Sequence, residues 1–589
     1  MERINNVGVV GCGTMGSGIC EVVARGGKDI TFVELTDEMV EGGLNRITNS
    51  LQRAVDREQL TPEEMDEILS HIAGSTDFAA LADCDLVVEA VPEVLSIKQD
   101  TFRKLDGVLR DDAIVATNTS SLGVIDVAVH TKRPDRVLGF HFFNPAPVME
   151  LVEMITTVVT NPEVVALATT FAEELGKTPV VVRDRAGFIA NLLLFPYLNQ
   201  AVGMVEEGYA TREDIDAAMK LGTGHPIGPI GLVDLIGIDS TNSIMERMYE
   251  QFGDVRYAPK PIIRQLKSAG FLGRKTGRGF YSYIKRNTSK VAPGDASDVE
   301  PVDAGVIDGW STIGVLGSGT MAAGIAEVCA KAGYDVVLRG RSVEKAQAAK
   351  ASVGRSMARM VDKGRMEQAV ADEALAHITP TDGMAAFADC DLVIEAVAEQ
   401  LEVKQPLFEQ LDQITGPDCV LATTTSSLPV VELAMATGRP EKVVGLHFFN
   451  PAAIMKLVEV VPTVRTDDTT LMQARAITEA LGKHAVLCGD RAGFIVNALL
   501  FPYLNDSIRM LEDGYATVTE IDTAMKLGCA HPMGPFELMD IVGLDVTLEI
   551  CRALHAEFRD PGFAPVDLLE QMVGVGYLGR KVGRGFYTY

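Results

Sequence analysis

The chain of 589 residues has no Cys-x-x-Cys pair, no long uninterrupted apolar run and no surplus of positive charge. Its nine cysteines, at 12, 20, 84, 329, 390, 419, 488, 529 and 551, are odd in number and scattered. Such a set reads as free thiols of a reducing compartment, with neither a disulfide framework nor a metal site. Lys and Arg total 53 against 81 Asp and Glu, a formal charge of −28. That balance argues against a nucleic-acid partner or an anionic-membrane surface. A phosphate-bearing ligand would have to be held by backbone N–H groups and a few placed cations. The most apolar stretch, Phe188 to Met204, carries Asn191, Pro196, Asn199 and Gln200, which excludes a bilayer span. Met1-Glu2-Arg3-Ile4-Asn5 runs straight into a strand-like segment, so no signal peptide is expected and the cytoplasm is the expected location. What remains is an ordinary globular composition, 47% apolar and 23% charged, long enough for about three to six domains.

The chain is one unit written twice. Gly11-Cys-Gly-Thr-Met recurs at Gly317, His141-Phe-Phe-Asn-Pro at His447, and Gly273-Arg-Lys-Thr-Gly-Arg-Gly-Phe-Tyr, with Val for Thr, at Gly579, each displaced by 306 residues. A unit of about 280 residues is far longer than any solenoid repeat, so the pattern is a duplicated two-domain protein. Between the copies, Ala292-Pro-Gly-Asp-Ala-Ser-Asp and its neighbours read as a surface linker. Within a unit, short apolar runs (Ile4–Val10, Ile30–Leu35, Leu86–Val91, Ile114–Thr117 and Val137–Phe143) alternate with helical patterns. That alternation predicts a parallel sheet covered on both faces. From about Ala186 the period becomes 3.6, and a helix is expected over Leu232–Met248.

The first run ends in Gly11-x-Gly13-x-x-Gly16 and opens a helix. This is the setting a dinucleotide fingerprint needs: glycines allow close backbone approach, and a helix N-terminus faces the pyrophosphate. Glu34, 18 residues after Gly16 at the end of the second run, can accept bonds from a ribose 2′-hydroxyl. The second copy reads Gly317-x-Gly319-x-x-Ala322, with Gly340 in place of Glu34 and Arg339 and Arg341 beside it. Losing the carboxylate and gaining guanidiniums suits a 2′-phosphate, hence NADP, and this is the favoured reading; the alternative is that the two arginines are solvated surface charges beside a degraded site. The fold class is therefore α/β plus all-α, a Rossmann domain followed by a helical domain, twice. The expected boundaries are 1–186, 187–283, a linker 284–310, 311–492 and 493–589.

His141 follows the fifth run, at the carboxyl edge where open α/β sheets bind ligands. Glu153 lies twelve residues on, in an expected return strand Val148–Ile155, and the pair recurs as His447 and Glu459. A histidine oriented by a carboxylate is a competent general base. His71 and His225 recur as well; the first reads as solvated, the second as structural at a turn.

Val88-Glu-Ala-Val-Pro-Glu93, Asn118-Thr-Ser-Ser-Leu122, Gly139-Phe-His-Phe-Phe-Asn-Pro145, Leu151-Val-Glu153, Asp184-Arg-Ala-Gly-Phe-Ile-Ala-Asn191 and His225-Pro-Ile-Gly-Pro229 follow in order. By these strings both units resemble the (S)-3-hydroxyacyl-CoA dehydrogenases, most closely the 3-hydroxybutyryl-CoA dehydrogenases of bacteria. The resemblance implies that His141 is the base, Glu153 its partner, and Ser120 and Asn191 the groups that bond the reacting oxygen and thioester. It places Asn144 by the nicotinamide and Glu93, Lys98 and Lys275 at the cofactor. Ser50 and Arg57 match positions that touch CoA, with Arg for the family's usual Lys. The second unit supplies Ser426, His447, Glu459 and Asn497, with Asn450, Glu399, Lys404 and Lys581 at the cofactor and Ser356 and Lys363 at CoA. Thr424 stands where the first unit has Asn118, which puts the turn that carries Ser426 in question.

The expected activity is an NAD(P)-dependent oxidoreductase acting on an acyl-CoA, with NAD in unit 1, NADP or NAD in unit 2, and no metal. Family members of single-unit length resemble dimers joined through the helical domain. The two helical domains are therefore expected to pair within one chain, with further homo-oligomerisation left open. A 3-hydroxyadipyl-CoA dehydrogenase of aromatic-acid breakdown, a sugar-acid dehydrogenase of the same superfamily and a non-catalytic relative such as a lens crystallin remain as alternatives. Retention of Ser, His, Glu and Asn in both copies speaks against the last.

Overall fold

The computed structural model describes residues 3–293, 295 and 302–589. In unit 1 the strands are β1 (Asn6–Val10), β2 (Asp29–Val33), β3 (Ile72–Ser75), β4 (Leu86–Glu89), β5 (Ile114–Thr117), β6 (Val137–Phe142), β7 (Leu151–Thr156) and β8 (Thr178–Arg183). They form one eight-stranded sheet in the order β3-β2-β1-β4-β5-β6-β7-β8. All neighbours are parallel except β6 and β7. Unit 2 repeats the order from Thr312–Leu316 to His484–Leu487. β4 and β5 are buried at every residue, as strands covered by helices on both faces must be.

The five runs read as strands are all present, with ends shifted by a few residues. β3 and β8 escape a reading by apolar runs because they are the two sheet edges. β3 is Ile-Ala-Gly-Ser and mostly unburied, and β8 carries Pro179, a residue sheets tolerate at their margins. The return strand starts at Leu151 rather than Val148 and runs antiparallel. The single helix expected over Leu232–Met248 is two, Pro229–Ile236 and Ile238–Phe252, broken at Gly237 with φ 102°. His71 is not simply solvated: it caps the helix Pro62–Ser70 and meets Asp29 at 2.8 Å. The linker expected over 284–310 lies partly outside the described residues. Its ends are tied down, by a bridge between Tyr283 and Val291 and by Gln473 Nε2 donating to Val306 O.

The two units meet through their helical domains. One apolar core runs through Phe195, Leu198 and Val202 of the helix Ala190–Glu206 into Phe501, Leu504 and Ile508 of its counterpart Val496–Glu512. Matching bonds cross the junction: Tyr209 Oη donates to Gly489 O at 2.8 Å and Tyr515 Oη to Arg183 O at 2.9 Å. On the approximate two-fold axis, His225 and His531 stack with centroids 4.0 Å apart, each beside a tyrosine hydroxyl, Tyr197 at 3.5 Å and Tyr503 at 3.3 Å.

Burial pushes His225 down to about 4 and His531 well below its ordinary range. Both rings are neutral in the fold, whereas the unfolded chain takes up their protons below about pH 6.5. Their contribution to stability is therefore present above pH 6.5 and lost as the pH falls toward 4. Asp216 and Asp522, pushed up to about 6 by burial, act in the opposite sense: their contribution is complete below the ordinary carboxylate range and lost as the pH rises through 6. The histidine share shows on comparison with a His225→Gln, His531→Gln chain in urea unfolding. Between pH 6 and 4.5 the wild type is expected to lose about 1–2 kcal/mol per pH unit relative to that variant. A gap that does not change with pH would refute the assignment.

Candidate active site

In each unit the register of two antiparallel strands builds a His–Glu dyad. His141 on β6 stands directly opposite Glu153 on β7, and its Nδ1 lies 2.8 Å from Glu153 Oε2. Glu153 is fully buried, and its other oxygen accepts from Ile189 N and Ala190 N, both at 3.0 Å. Those N–H groups open the helix Ala190–Glu206, so the carboxylate sits where a helix terminus favours negative charge. With Nδ1–H given to that carboxylate, Nε2 is the basic nitrogen. In unit 2, His447 Nδ1 lies 2.6 Å from Glu459 Oε2, and Glu459 Oε1 accepts from Ile495 N and Val496 N. Phe143 and Phe188 flank His141, with Phe188 at φ 50°; Phe449 and Phe494 flank His447, with Phe494 at φ 48°.

Each dyad is backed by the other unit. A Cβ on Gly528, which ends the unit 2 helix Val518–Gly528, would stand 3.2 Å from Phe143 Cε1 and 2.8 Å from Leu151 Cδ2. Gly222 of unit 1 lies as close to Leu457 and Val496.

Ser120 and Asn191 come together across the cleft, Asn191 Nδ2 donating to Ser120 O at 3.5 Å. The serine turn is organised by Glu93, whose Oε1 accepts from Ser120 N at 3.0 Å, Ser121 N at 3.2 Å and Thr119 Oγ1. Burial pushes the Glu93 carboxyl up, but Lys98 and these donors outweigh it and hold it below its ordinary value. Lys98 is enclosed, bonding Glu89 at 2.8 Å and Glu93 at 3.2 Å, so it reaches the cleft only through Glu93. Lys404 repeats this with Glu395 and Glu399. In unit 2 the turn survives Thr424, with Ser426 N donating to Glu399 Oε1 at 2.7 Å; Asn497, like Asn191, lies in the first turn of its long helix. Lys275 and Lys581 pair with Asp239 and Asp545. A cleft between the domains of unit 1 brings Glu93 and Ser120 to face Asp239, Ser240 and Asn242, residues without a motif to mark them in sequence.

The glycine turns fit a dinucleotide. A Cβ at Gly16 would lie 1.8 Å from Gly11 O, while the space around Gly13 is open to 4 Å. In unit 1, Glu34 Oε1 accepts from Cys12 N at 2.6 Å, and Arg46 Nη2 donates to Cys12 O at 2.9 Å. Arg46 was not legible as a site residue. Unit 2 carries Ala322 for Gly16 and turns at Gly317 with φ 147° rather than the 90° of Gly11. A cavity of about 720 Å³ opens there, with Arg339 and Arg341 on its wall beside Gly317 and Gly319. A second cleft joins that turn to Asn450, Ser356 and Arg359; Lys363, exposed at the helix end, is not on its wall. In unit 1, Asn144 is exposed after the dyad strand, Ser50 is half-buried on the helix Asp37–Val55, and Arg57 is exposed beyond its end. No three His, Cys, Asp or Glu side chains among the described residues are grouped as a metal site, and no helix there is long and apolar enough to cross a membrane.

The model of the 3-hydroxyacyl-CoA dehydrogenase NAD-binding domain matches residues 6–185 and 312–491, and that of the C-terminal domain matches 187–283 and 493–589. The chain belongs to the 3-hydroxyacyl-CoA dehydrogenase family. A 3-hydroxybutyryl-CoA dehydrogenase of Mycobacterium tuberculosis is 47% identical over 284 residues, 48% of this chain and 99% of its own length. The mitochondrial hydroxyacyl-coenzyme A dehydrogenase of Sus scrofa is 43% identical, over 47% of this chain and 90% of its own. A solved 3-hydroxybutyryl-CoA dehydrogenase of Escherichia coli K12 superposes with a TM-score of 0.70 at 26% identity, covering 97% of this chain and 99% of its own. Single-unit members of the family thus match half of this chain, and the doubled architecture matches throughout.

Proposed function

We propose that the chain interconverts (S)-3-hydroxyacyl-CoA, foremost 3-hydroxybutyryl-CoA, and 3-oxoacyl-CoA, with one site in each unit. The observation that carries this reading is the buried His–Glu pair, present twice with the same helix-terminus support. The bound nicotinamide dinucleotide supplies the hydride acceptor for C3 in the oxidative direction and the donor in reverse. His141 Nε2 takes the proton from the 3-hydroxyl, and Glu153 holds the ring through Nδ1–H and stabilises the imidazolium that forms. Ser120 and Asn191 offer donors that do not titrate near neutrality, suited to the 3-oxygen and the thioester carbonyl. Gly11, Gly13 and Gly16 hold the pyrophosphate, Glu34 the adenosine ribose, and Glu93 and Asn144 the nicotinamide end. Lys275 pairs with Asp239 at the rim of that cleft. His447, Glu459, Ser426 and Asn497 take the same parts in unit 2.

Acetoacetyl-CoA offered with NADH and with NADPH tests this directly. The expected result is nucleotide oxidation with formation of the (S)-3-hydroxy product; no turnover with either nucleotide would overturn the reading. NAD is proposed for unit 1 and NADP, with NAD tolerated, for unit 2.

A further inference from the structure

The junction between the units repeats many of its contacts about the two-fold axis, but several positions break the repeat, and two of them make a cross-junction ion pair on one side only. Residues 200 and 506 correspond, as do 256 and 562, yet they are Gln and Asp, Arg and Gly. Arg256 of unit 1 crosses the junction and donates from Nη1 to both oxygens of Asp506, at 2.8 and 2.9 Å, while its Nη2 is held by Asp254 at 2.7 Å. The guanidinium lies in the space Gly562 leaves open, where a Cβ would come within 2.7 Å of Arg256 Cδ. On the opposite side of the axis the contact is neutral: Gln200 Nε2 donates to Ala498 O at 2.8 Å. We infer that the junction has diverged so that each unit's helical face fits the other unit and rejects a second copy of itself.

A unit 1 face turned on itself would set Arg256 against Arg256, two guanidiniums in the volume that now holds one, with Gln200 in place of Asp506. A unit 2 face turned on itself would set Gly562 against Gly562 and leave a void. Asp506 there would keep only Arg509 of its own helix, at 2.9 Å. Both self-pairs lose the cross-junction charge pair, and only the first adds a clash and like-charge contact, so it is the more strongly excluded. Tyr209 and Tyr515, Arg185 and Arg491, and His225 and His531 are the same residue in both units, so they stabilise either pairing and discriminate nothing. The consequence is closure. A chain carrying two self-complementary faces can join other chains end to end, whereas unlike faces on one chain satisfy each other internally.

The test exchanges these two positions between the units in the full chain, with a protease site placed in the 284–310 linker. Cutting is needed because a linker of roughly 25 residues sets an effective concentration in the millimolar range that would mask affinity differences. Asp506→Gln with Gly562→Arg gives unit 2 the unit 1 residues at these two positions; Gln200→Asp with Arg256→Gly gives unit 1 those of unit 2; all four changes move the ion pair to the other side. After cutting, native mass spectrometry over a dilution series reads the pairing of the halves. The wild type is expected to hold only unlike halves. The Asp506→Gln, Gly562→Arg chain is expected to dissociate at a concentration on the order of 30-fold higher or more. The Gln200→Asp, Arg256→Gly chain should fall between, and the fourfold exchange should recover most of the loss. If the cut halves never part at measurable dilution, the melting midpoints of the intact chains must follow the same order. Like halves pairing in statistical proportion, or a fourfold exchange no better than its worse half, would overturn the inference.

Discussion

His141→Ala combined with His447→Ala is expected to lower turnover of acetoacetyl-CoA by about 10²–10⁴-fold with either nucleotide, the usual range for removing a positioned acid–base group. Either single change should leave the other unit's share. The reason is structural: each dyad is complete within its own sheet, His141 with Glu153 and His447 with Glu459, and each glutamate has its own pair of helix-opening N–H donors. The same geometry says what Glu153→Gln does on a His447→Ala background. One oxygen of Glu153 faces the imidazole N–H and the other faces two backbone N–H groups, so an amide NH₂ meets a donor whichever way it turns. Most of unit 1's rate should be lost with little change in KM, because the substrate-facing Ser120 and Asn191 are untouched. Loss of all activity from His141→Ala alone, with both nucleotides, would show that unit 2 is not a working site.

Glycine, histidine and glutamate carried most of the sequence signal because their roles depend on backbone position. The glycine turn between a strand and a helix is marked because Gly11 takes a positive φ and a Cβ at Gly16 would meet Gly11 O at 1.8 Å, and the apolar run around Glu153, twelve residues after His141, marked the strand that returns beside it. What stayed hidden was built from contacts without periodicity. The edge strand β3 buries too little to show an apolar run, the Val180–Val182 run of β8 is only three residues behind Pro179, and Gly237 breaks a helix whose apolar spacing continues through it. Arg46 and Asp239 reach their partners by long side chains or by a domain cleft, so neither carries a motif. Lys98 was legible as a cation near the cofactor, but its burial between Glu89 and Glu93 was not. The unlike pairs at 200 and 506 and at 256 and 562 lie where the repeat departs at several neighbouring positions as well, so sequence alone did not single them out.

The two units should separate by cofactor. With unit 2 silenced by His447→Ala, NADH is expected to be much the better substrate, because Glu34 presents a carboxylate, at the end of β2, to the site of a 2′-phosphate and accepts from the glycine turn at 2.6 Å. With unit 1 silenced by His141→Ala, NADPH should be accepted as well as or better than NADH. Unit 2 cannot simply regain the carboxylate, since a Cβ at Gly340 would lie 2.7 Å from Ala346 N and 2.9 Å from Ser342 O. Arg341 is exposed at the mouth of the cavity beside Gly317, while Arg339 is partly engaged, its Nε donating to Asp382 O at 3.1 Å. Arg341 is therefore the guanidinium freer to meet a phosphate. A hydrogen bond to a charged group is worth about 1.5–3 kcal/mol, or roughly one to two decades in affinity. Arg341→Ala in the chain that works through unit 2 alone should raise the NADPH KM by that factor, ~10–100-fold, and leave the NADH KM within about twofold. Equal losses with both nucleotides would sink the assignment and return Arg339 and Arg341 to ordinary solvated charges on the rim of a site that uses NAD.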